Sequence, residues 1–227
     1  MAVITISREF GSGGDEIAHR VGDVLGYRLF SRTLMAEVAR EQALSESEIV
    51  DFSEDSYRAR GFIDALLRRS VLVATATVRA TTTTGEEVRV SERLDEEMAV
   101  DFVATTIRAL AHRGQVVIVG RGGQAILRDE PGVLHVRVIA RAEDRLRRTV
   151  DAEGLSRNEA SKLITERDRA IAQYVRRFHG VEWADPLLYH LTLNTSLLSL
   201  ETAVELIATA ARRLDTHPTM PPPTAAA

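Results

Sequence analysis

Apolar residues along the chain fall into short β-branched runs separated by longer stretches with helical spacing, which predicts strands alternating with helices. Val3 to Ser7 reads as a buried strand broken by Gly11-Ser12-Gly13-Gly14. Ile17, Ala18, Val21, Val24 and Leu25 then mark one face of a helix that closes at Gly26. Tyr27 to Phe30 predicts a second strand, Arg32 to Arg40 a helix, and Ser45 to Ser70 one or two amphipathic helices over the sheet. Ala80 to Val90, with its run Thr81-Thr82-Thr83-Thr84-Gly85, is a break, either a mobile loop or a small hairpin. Leu94 to His112 predicts a long amphipathic helix, and Val116 to Val119 a strand leading into Gly120-Arg121-Gly122-Gly123. Leu134 to Ile139 and Leu191 to Asn194 read as strands. Helices are expected from Ala142 to Val150, Ser156 to Phe178 and Leu200 to Leu214. Ser156 with Glu159 three residues on forms a capping box at the start of the second of these.

This alternation implies an α/β fold with a mainly parallel, covered sheet. One domain over residues 1–214 is expected, with residues 215–227, rich in proline and alanine, as a disordered tail. Composition sharpens the picture by exclusion. At 44% hydrophobic and 27% charged, the 227-residue chain is ordinary globular material. A net charge of −4 predicts no general affinity for nucleic acid or anionic membranes. The absence of cysteine excludes disulfides, thiolate metal sites and cysteine nucleophiles, and the six histidines show no metal-ligand spacing. The opening MAVITISREF lacks the pattern of a secretion signal and no apolar run approaches a membrane span, so a cytoplasmic location is expected. Lys162 is the only lysine, so any phosphate site must be built from arginines and backbone amides.

Candidate chemistry starts at the first glycine turn. A turn between strand and helix gathers free backbone N–H groups and the positive end of the helix dipole, an arrangement that attracts phosphate oxygens. Phe10-Gly11-Ser12-Gly13-Gly14 stands where such a loop belongs. It is not an intact G-x-x-x-x-G-K-[ST] loop: Arg8 replaces the first glycine, Gly14 stands at the lysine position and Asp15 at the hydroxyl position.

The pattern as a whole resembles the cytidylate kinase-like proteins, relatives of bacterial cytidylate kinase among the P-loop nucleoside monophosphate kinases. The segment Ile4 to Gly14 resembles that family's opening signature, where the altered loop is usual, and Val117 to Gly122 its second signature, a strand delivering G-R. Glu166-Arg167-Asp168-Arg169 resembles the start of its lid, while Phe178 to Pro186 and Leu191 to Thr195 match its C-terminal pattern. The resemblance covers roughly residues 3–212. It implies a P-loop NTPase-like three-layer α/β/α fold with a five-stranded parallel sheet. It also implies a helical acceptor-side insert at about 42–112 and an arginine-rich lid at about 154–185. Its activity would be transfer of phosphate from ATP, with Mg2+, to a nucleoside monophosphate of the (deoxy)cytidylate type. Three departures stand out: the loop lysine is missing, G-R-D reads G-R-G, and the lid motif R-D-R-x-D-x-x-R keeps only its first three residues.

On this resemblance the backbone from Phe10 through Gly11, Ser12, Gly13, Gly14, Asp15 and Glu16 would cradle the donor phosphates. Arg8 and the lid arginines Arg167, Arg169, Arg176 and Arg177 would supply positive charge. Arg121, directly after a buried strand at the edge where α/β sheets bind ligands, would grip the acceptor phosphate; Arg32 lies on the same side. Asp15 either meets Mg2+, directly or through water, or serves only the helix N-terminus. Trp183 and Tyr189 either stack on a base or pack in the core. The amphipathic stretches 45–70 and 94–112 are compatible with a homodimer and equally with intramolecular core. Two other readings stay open: a nucleotide-binding regulatory protein that has lost transfer, and a kinase of another small acceptor.

Overall fold

Val3–Arg8 (β1) lies at the centre of a five-stranded sheet because both its faces are apolar enough to be covered. The computed structural model describes residues 2–30, 76–81, 87–92 and 96–216. The helices expected at 32–40 and 45–70, Arg32, and the tail beyond residue 216 lie outside the described residues. The sheet is completed by Arg28–Phe30 (β2), Val116–Val119 (β5), Val133–Ile139 (β6) and Leu191–Asn194 (β7), in the order β2-β5-β1-β6-β7. Every neighbouring pair is parallel, with Ile4 opposite Val117 on one side and Leu134 on the other. Ala76–Thr81 (β3) and Glu87–Glu92 (β4) form a separate antiparallel hairpin, Thr77 opposite Ser91. Of the two expectations for this break, the hairpin is the outcome, and its strands reach beyond the threonine-glycine run at both ends.

Parallel strands need crossover connections, and these place helices on both faces. On one face Gly14–Leu25 (α1) and Leu200–Thr216 (α6) pack Ile17, Val21, Val204 and Ile207 against Ile4, Ile6, Val136 and Val138. On the other, Glu96–Arg113 (α2) and the short Gly123–Ile126 (α3) cover Phe30, Val116 and Ile118 with Val103, Ile107 and Leu110. Each such aliphatic side chain contributes roughly 1.5–3 kcal/mol by leaving water. Ala142–Glu153 (α4) and Arg157–His179 (α5) follow β6, and α5 packs Ile171, Tyr174 and Val175 around Trp183 and Val100. The expected capping box is present, with Ser156 accepting from the Glu159 N–H and Glu159 accepting from the Ser156 N–H. The helix α3 and the 3-10 turn Pro186–Leu188 are too short to leave a period in the sequence. No helix among the described residues is long and apolar enough to cross a membrane.

A histidine pair sits in the sheet. His135 on β6 is buried, its Nδ1 2.7 Å from Thr5 Oγ1, and its ring stacks on His190 at 5.2 Å between centroids. The His135 backbone N–H donates to His190 Nδ1 at 3.0 Å, which requires that nitrogen to be unprotonated. Burial, and then the neighbouring His190 charge, pull His135 down to about 4; burial also lowers His190. Above pH 6.5 folded and unfolded chains both hold a neutral His135, and its contribution to stability is fully present. Between pH 6.5 and about 4 the unfolded chain takes up a proton that the folded His135 refuses, so stability falls with pH. The loss reaches about 3 kcal/mol at its fullest. Thermal melts from pH 7 to pH 4.5 should therefore show a falling midpoint, and His135→Gln should flatten that dependence relative to the parent.

Candidate functional site

The turn after β1 is built so that its carbonyl oxygens are tied down. Glu9 N–H continues the sheet by donating to Val138 O at 3.0 Å, and Ser12 N–H closes a tight turn on Glu9 O at 3.1 Å. Arg145 on α4 donates from Nε to Phe10 O at 2.7 Å. Arg148, one turn along the same helix, donates to Ser12 O at 3.1 Å, and the Thr195 hydroxyl donates to the same oxygen at 2.6 Å. Across a trans peptide the C=O and the following N–H point in opposite directions. Anchoring Phe10 O and Ser12 O to α4 and Thr195 therefore turns the N–H groups of Gly11 and Gly13 away from that helix. Gly13 caps α1 in a left-handed conformation, φ +83, with no side-chain cap. Among the described residues, no acceptor meets the N–H groups of Gly13, Gly14, Asp15 or Glu16. Ser12 Oγ, sealed from solvent, also lacks a partner among the described residues. Unmet amides, a buried hydroxyl and the positive end of α1 suit phosphate oxygens.

A group of four charges fixes this loop from behind. Arg145 pairs with Asp168 on α5 and with Glu9 Oε2 at 3.3 Å. Asp168 Oδ1 accepts the Phe10 N–H at 3.0 Å, and Glu9 accepts the Ala140 N–H at 3.2 Å. Buried Arg137 reaches Glu9 at 3.7 Å and donates to Trp183 O at 2.6 Å. Its guanidinium lies 4.3 Å from the Trp183 ring centroid and 5.5 Å from that of Tyr189. Trp183 donates its indole N–H to Ser7 Oγ at 2.7 Å, so this ring belongs to the core alternative.

Several residues expected in the site gather at the loop. Arg8 leaves the end of β1 with its side chain mostly enclosed and Nε 3.0 Å from Asp15 Oδ1. Asp15 is exposed in the first turn of α1, where an acid also suits the helix dipole. Arg167 lies over the Phe10 ring, 5.9 Å from its centroid. Arg169 is exposed on α5. Arg176 and Arg177 are not brought to the loop: they lie about 14 Å further along the axis of α5 than Arg167. There Arg176 pairs with Glu182 at 3.3 Å in solvent, and Arg177 covers the Phe178 ring at 5.0 Å.

Arg121 stands at the carboxyl edge of β5 in a left-handed conformation, φ 55, between two glycines of the same hand. It is buried, its guanidinium 4.7 Å from the Phe30 ring centroid and Nη1 donating to Phe30 O at 3.4 Å. The G-R-G reading has a steric cause. A Cβ at Gly122 would fall 2.4 Å from His179 Nε2, so the last residue of α5 fills the space that an aspartate would need. That nitrogen is buried and has no partner among the described residues, and burial, then the Arg108 charge, lower the ring's pKa.

Sequence reasoning alone assigns no role to Glu9, Arg145, Arg148, Asp168 or Thr195. Asp168 and Thr195 lay inside matched motifs, and Arg145 with Arg148 at i, i+3 share one face of α4; that spacing was the available signal.

A glycine turn joining the first strand to the first helix, at the carboxyl edge of a parallel sheet covered on both faces, defines a P-loop NTPase-like three-layer α/β protein. Comparison with known proteins narrows the class. The chain belongs to the cytidylate kinase-like family, whose model matches residues 3–197. It is 28% identical over 209 residues to a protein named cytidylate kinase from Aeropyrum pernix, covering 92% of this chain and 98% of that one. The crystal structure of an uncharacterized protein from Eubacterium ventriosum shares the fold, with a TM-score of 0.65 at 19% identity. That match covers 93% of this chain and 99% of the other.

Asp168→Ala removes the acid that holds both Arg145 and the Phe10 amide, leaving a largely buried guanidinium short of a partner. Urea denaturation should show a loss of about 3 kcal/mol, the scale of a broken buried ion pair. A loss within 0.5 kcal/mol, the range of an ordinary surface change, would mean that the loop is held by other contacts.

Proposed function

We propose that this protein transfers the γ-phosphoryl group of Mg-ATP to the phosphate of a (deoxy)cytidylate-type nucleotide. The observation that supports this best is the loop itself: its carbonyl oxygens are anchored to Arg145, Arg148 and Thr195, and its amides from Gly13 to Glu16, at the positive end of α1, meet no acceptor among the described residues. In the reaction an acceptor phosphate oxygen bonds to the γ-phosphorus as the bond to the β–γ bridging oxygen breaks, releasing ADP. The acceptor oxygen is already anionic, so the chemistry asks for positioning and charge neutralisation rather than a general base.

Within this reading the amides of Gly11 and of Gly13 to Glu16 hold the donor phosphates, while the Ser12 amide closes the turn on Glu9 O. Arg8 and Arg167, both at the loop, offset their charge, with Arg169 available from the exposed face of α5. Mg2+, when bound, would offset phosphate charge, and Asp15, exposed in the first turn of α1, would be the carboxylate that holds it, directly or through water. Arg121 is the acceptor-phosphate ligand, set at the strand edge by its glycine-flanked turn.

The test is ADP release from Mg-ATP with CMP, dCMP, UMP, AMP and GMP in turn. Turnover is expected with a cytidylate. ATP binding with no turnover on any of the five would favour a regulatory nucleotide-binding protein or a kinase of another acceptor. In the same assay Arg121→Ala should lower kcat/KM for the acceptor about a hundredfold while ATP affinity stays within about twofold. An unchanged acceptor dependence would remove Arg121 from this role.

A further inference from the structure

In the full loop pattern a glycine opens the run and a lysine closes it. Here the two ends are reversed in kind: Arg8 stands first and Gly14 stands at the lysine position. The structure shows that these are not independent departures. A Cβ at Gly14 would fall 2.4 Å from Arg8 Cβ and 2.9 Å from Arg8 Cγ, with Val138 Cβ behind at 3.3 Å. The first two carbons of the Arg8 side chain therefore run through the volume that a side chain at position 14 would occupy. A long cation can enter this space from one end of the loop or from the other, but not from both.

We propose that Arg8 and Gly14 are an exchanged pair, in which Arg8 delivers from the start of the loop the phosphate-binding charge that a lysine at position 14 would deliver from its end. Three further observations fit this exchange. Only 11% of the Arg8 side chain is exposed, so its stem is held along the loop rather than waving in solvent. Its Nε lies 3.0 Å from Asp15 Oδ1, which ties the guanidinium to a residue of the first turn of α1. Asp15 itself is exposed at 67%, so the acid end of the pair is open to solvent. An arginine in this place also changes the kind of contact. A planar guanidinium binds two oxygens of one phosphate or bridges two phosphates, where an ammonium acts as a point charge. The inference rests on reading the loop as a donor-phosphate site and names the side chain that makes a lysine-free loop work.

The test measures direct binding of ATP, ADP and AMP with Mg2+ to the full chain by calorimetry, so it needs no acceptor. Arg8→Ala should weaken ATP and ADP about a hundredfold and AMP less than threefold, since the charge acts on the outer phosphates. Gly14→Lys alone should weaken ATP at least tenfold, because its stem collides with that of Arg8. The double variant Arg8→Gly/Gly14→Lys rebuilds the lysine-bearing loop and should bind ATP at least tenfold better than Arg8→Ala. Should the double variant fail to fold by circular dichroism, Arg8→Lys and Arg8→Met decide: lysine should stay within about tenfold of wild type and methionine should match alanine. Wild-type ATP affinity in Arg8→Ala, or equal affinities for the lysine and methionine variants, would overturn the exchange while leaving the donor site standing. A folded double variant no tighter than Arg8→Ala would likewise overturn it. Failure of the wild-type protein itself to bind ATP would overturn the donor-site reading and the exchange together.

Discussion

A backbone amide faces an anion only when the carbonyl before it faces something else, and this constraint organises the site. The loop after β1 has no regular ladder to occupy its carbonyls, so side chains from elsewhere do so: Arg145 for Phe10, Arg148 and Thr195 for Ser12. Those side chains come from α4 and from the end of β7, elements more than 130 residues away in sequence. Close approach of α4 in turn demands Gly11, where a Cβ would meet Thr149 Oγ1 at 2.7 Å and Arg145 O at 2.9 Å. Loop, helix and strand end thus specify one another.

The charges behind the loop follow the same logic. Glu9 and Asp168 face Arg137 and Arg145 in a group of zero net charge, each member also bonded to backbone. Taking such ions out of water costs nearly as much as their attraction returns, so the group adds modestly to stability while complete. Its stronger effect is selective: any loop conformation that displaces one partner leaves the others buried and unmatched. A glycine-rich segment with wide conformational freedom is thereby held to one shape.

The sheet and its flanking helices were legible because buried parallel strands are continuous apolar runs and their helices carry a 3.6-residue period, as in Val116 to Val119 and in α1. The short α3 and the turn at Pro186–Leu188 left no period to read. The loop was visible from its glycines and its place after the first strand. Its clamp was not, since an arginine spacing such as Arg145 and Arg148 looks the same whether the face meets solvent or backbone. Arg176 and Arg177 show the converse. Their membership of an arginine-rich helix suggested a shared role with Arg167, but two and a half turns of helix separate them from the loop. Gly122 was legible only as a departure from a motif, and its reason, the His179 ring, became visible once the end of α5 was placed.

Helix α5 touches both ends of the site. Near its middle Asp168 holds the Phe10 amide, and at its last residue His179 presses on Gly122 beside Arg121. An unbroken α-helix resists stretching, so the distance between these two contacts is set by eleven residues of rise, about 16 Å. The helix is in effect a ruler laid between the glycine loop after β1 and the turn that carries Arg121. Inserting or deleting a residue between Asp168 and His179 would turn one contact by 100° about the axis relative to the other. A change of length in this stretch would therefore break one contact or the other, and the spacing between the two turns is fixed by the helix.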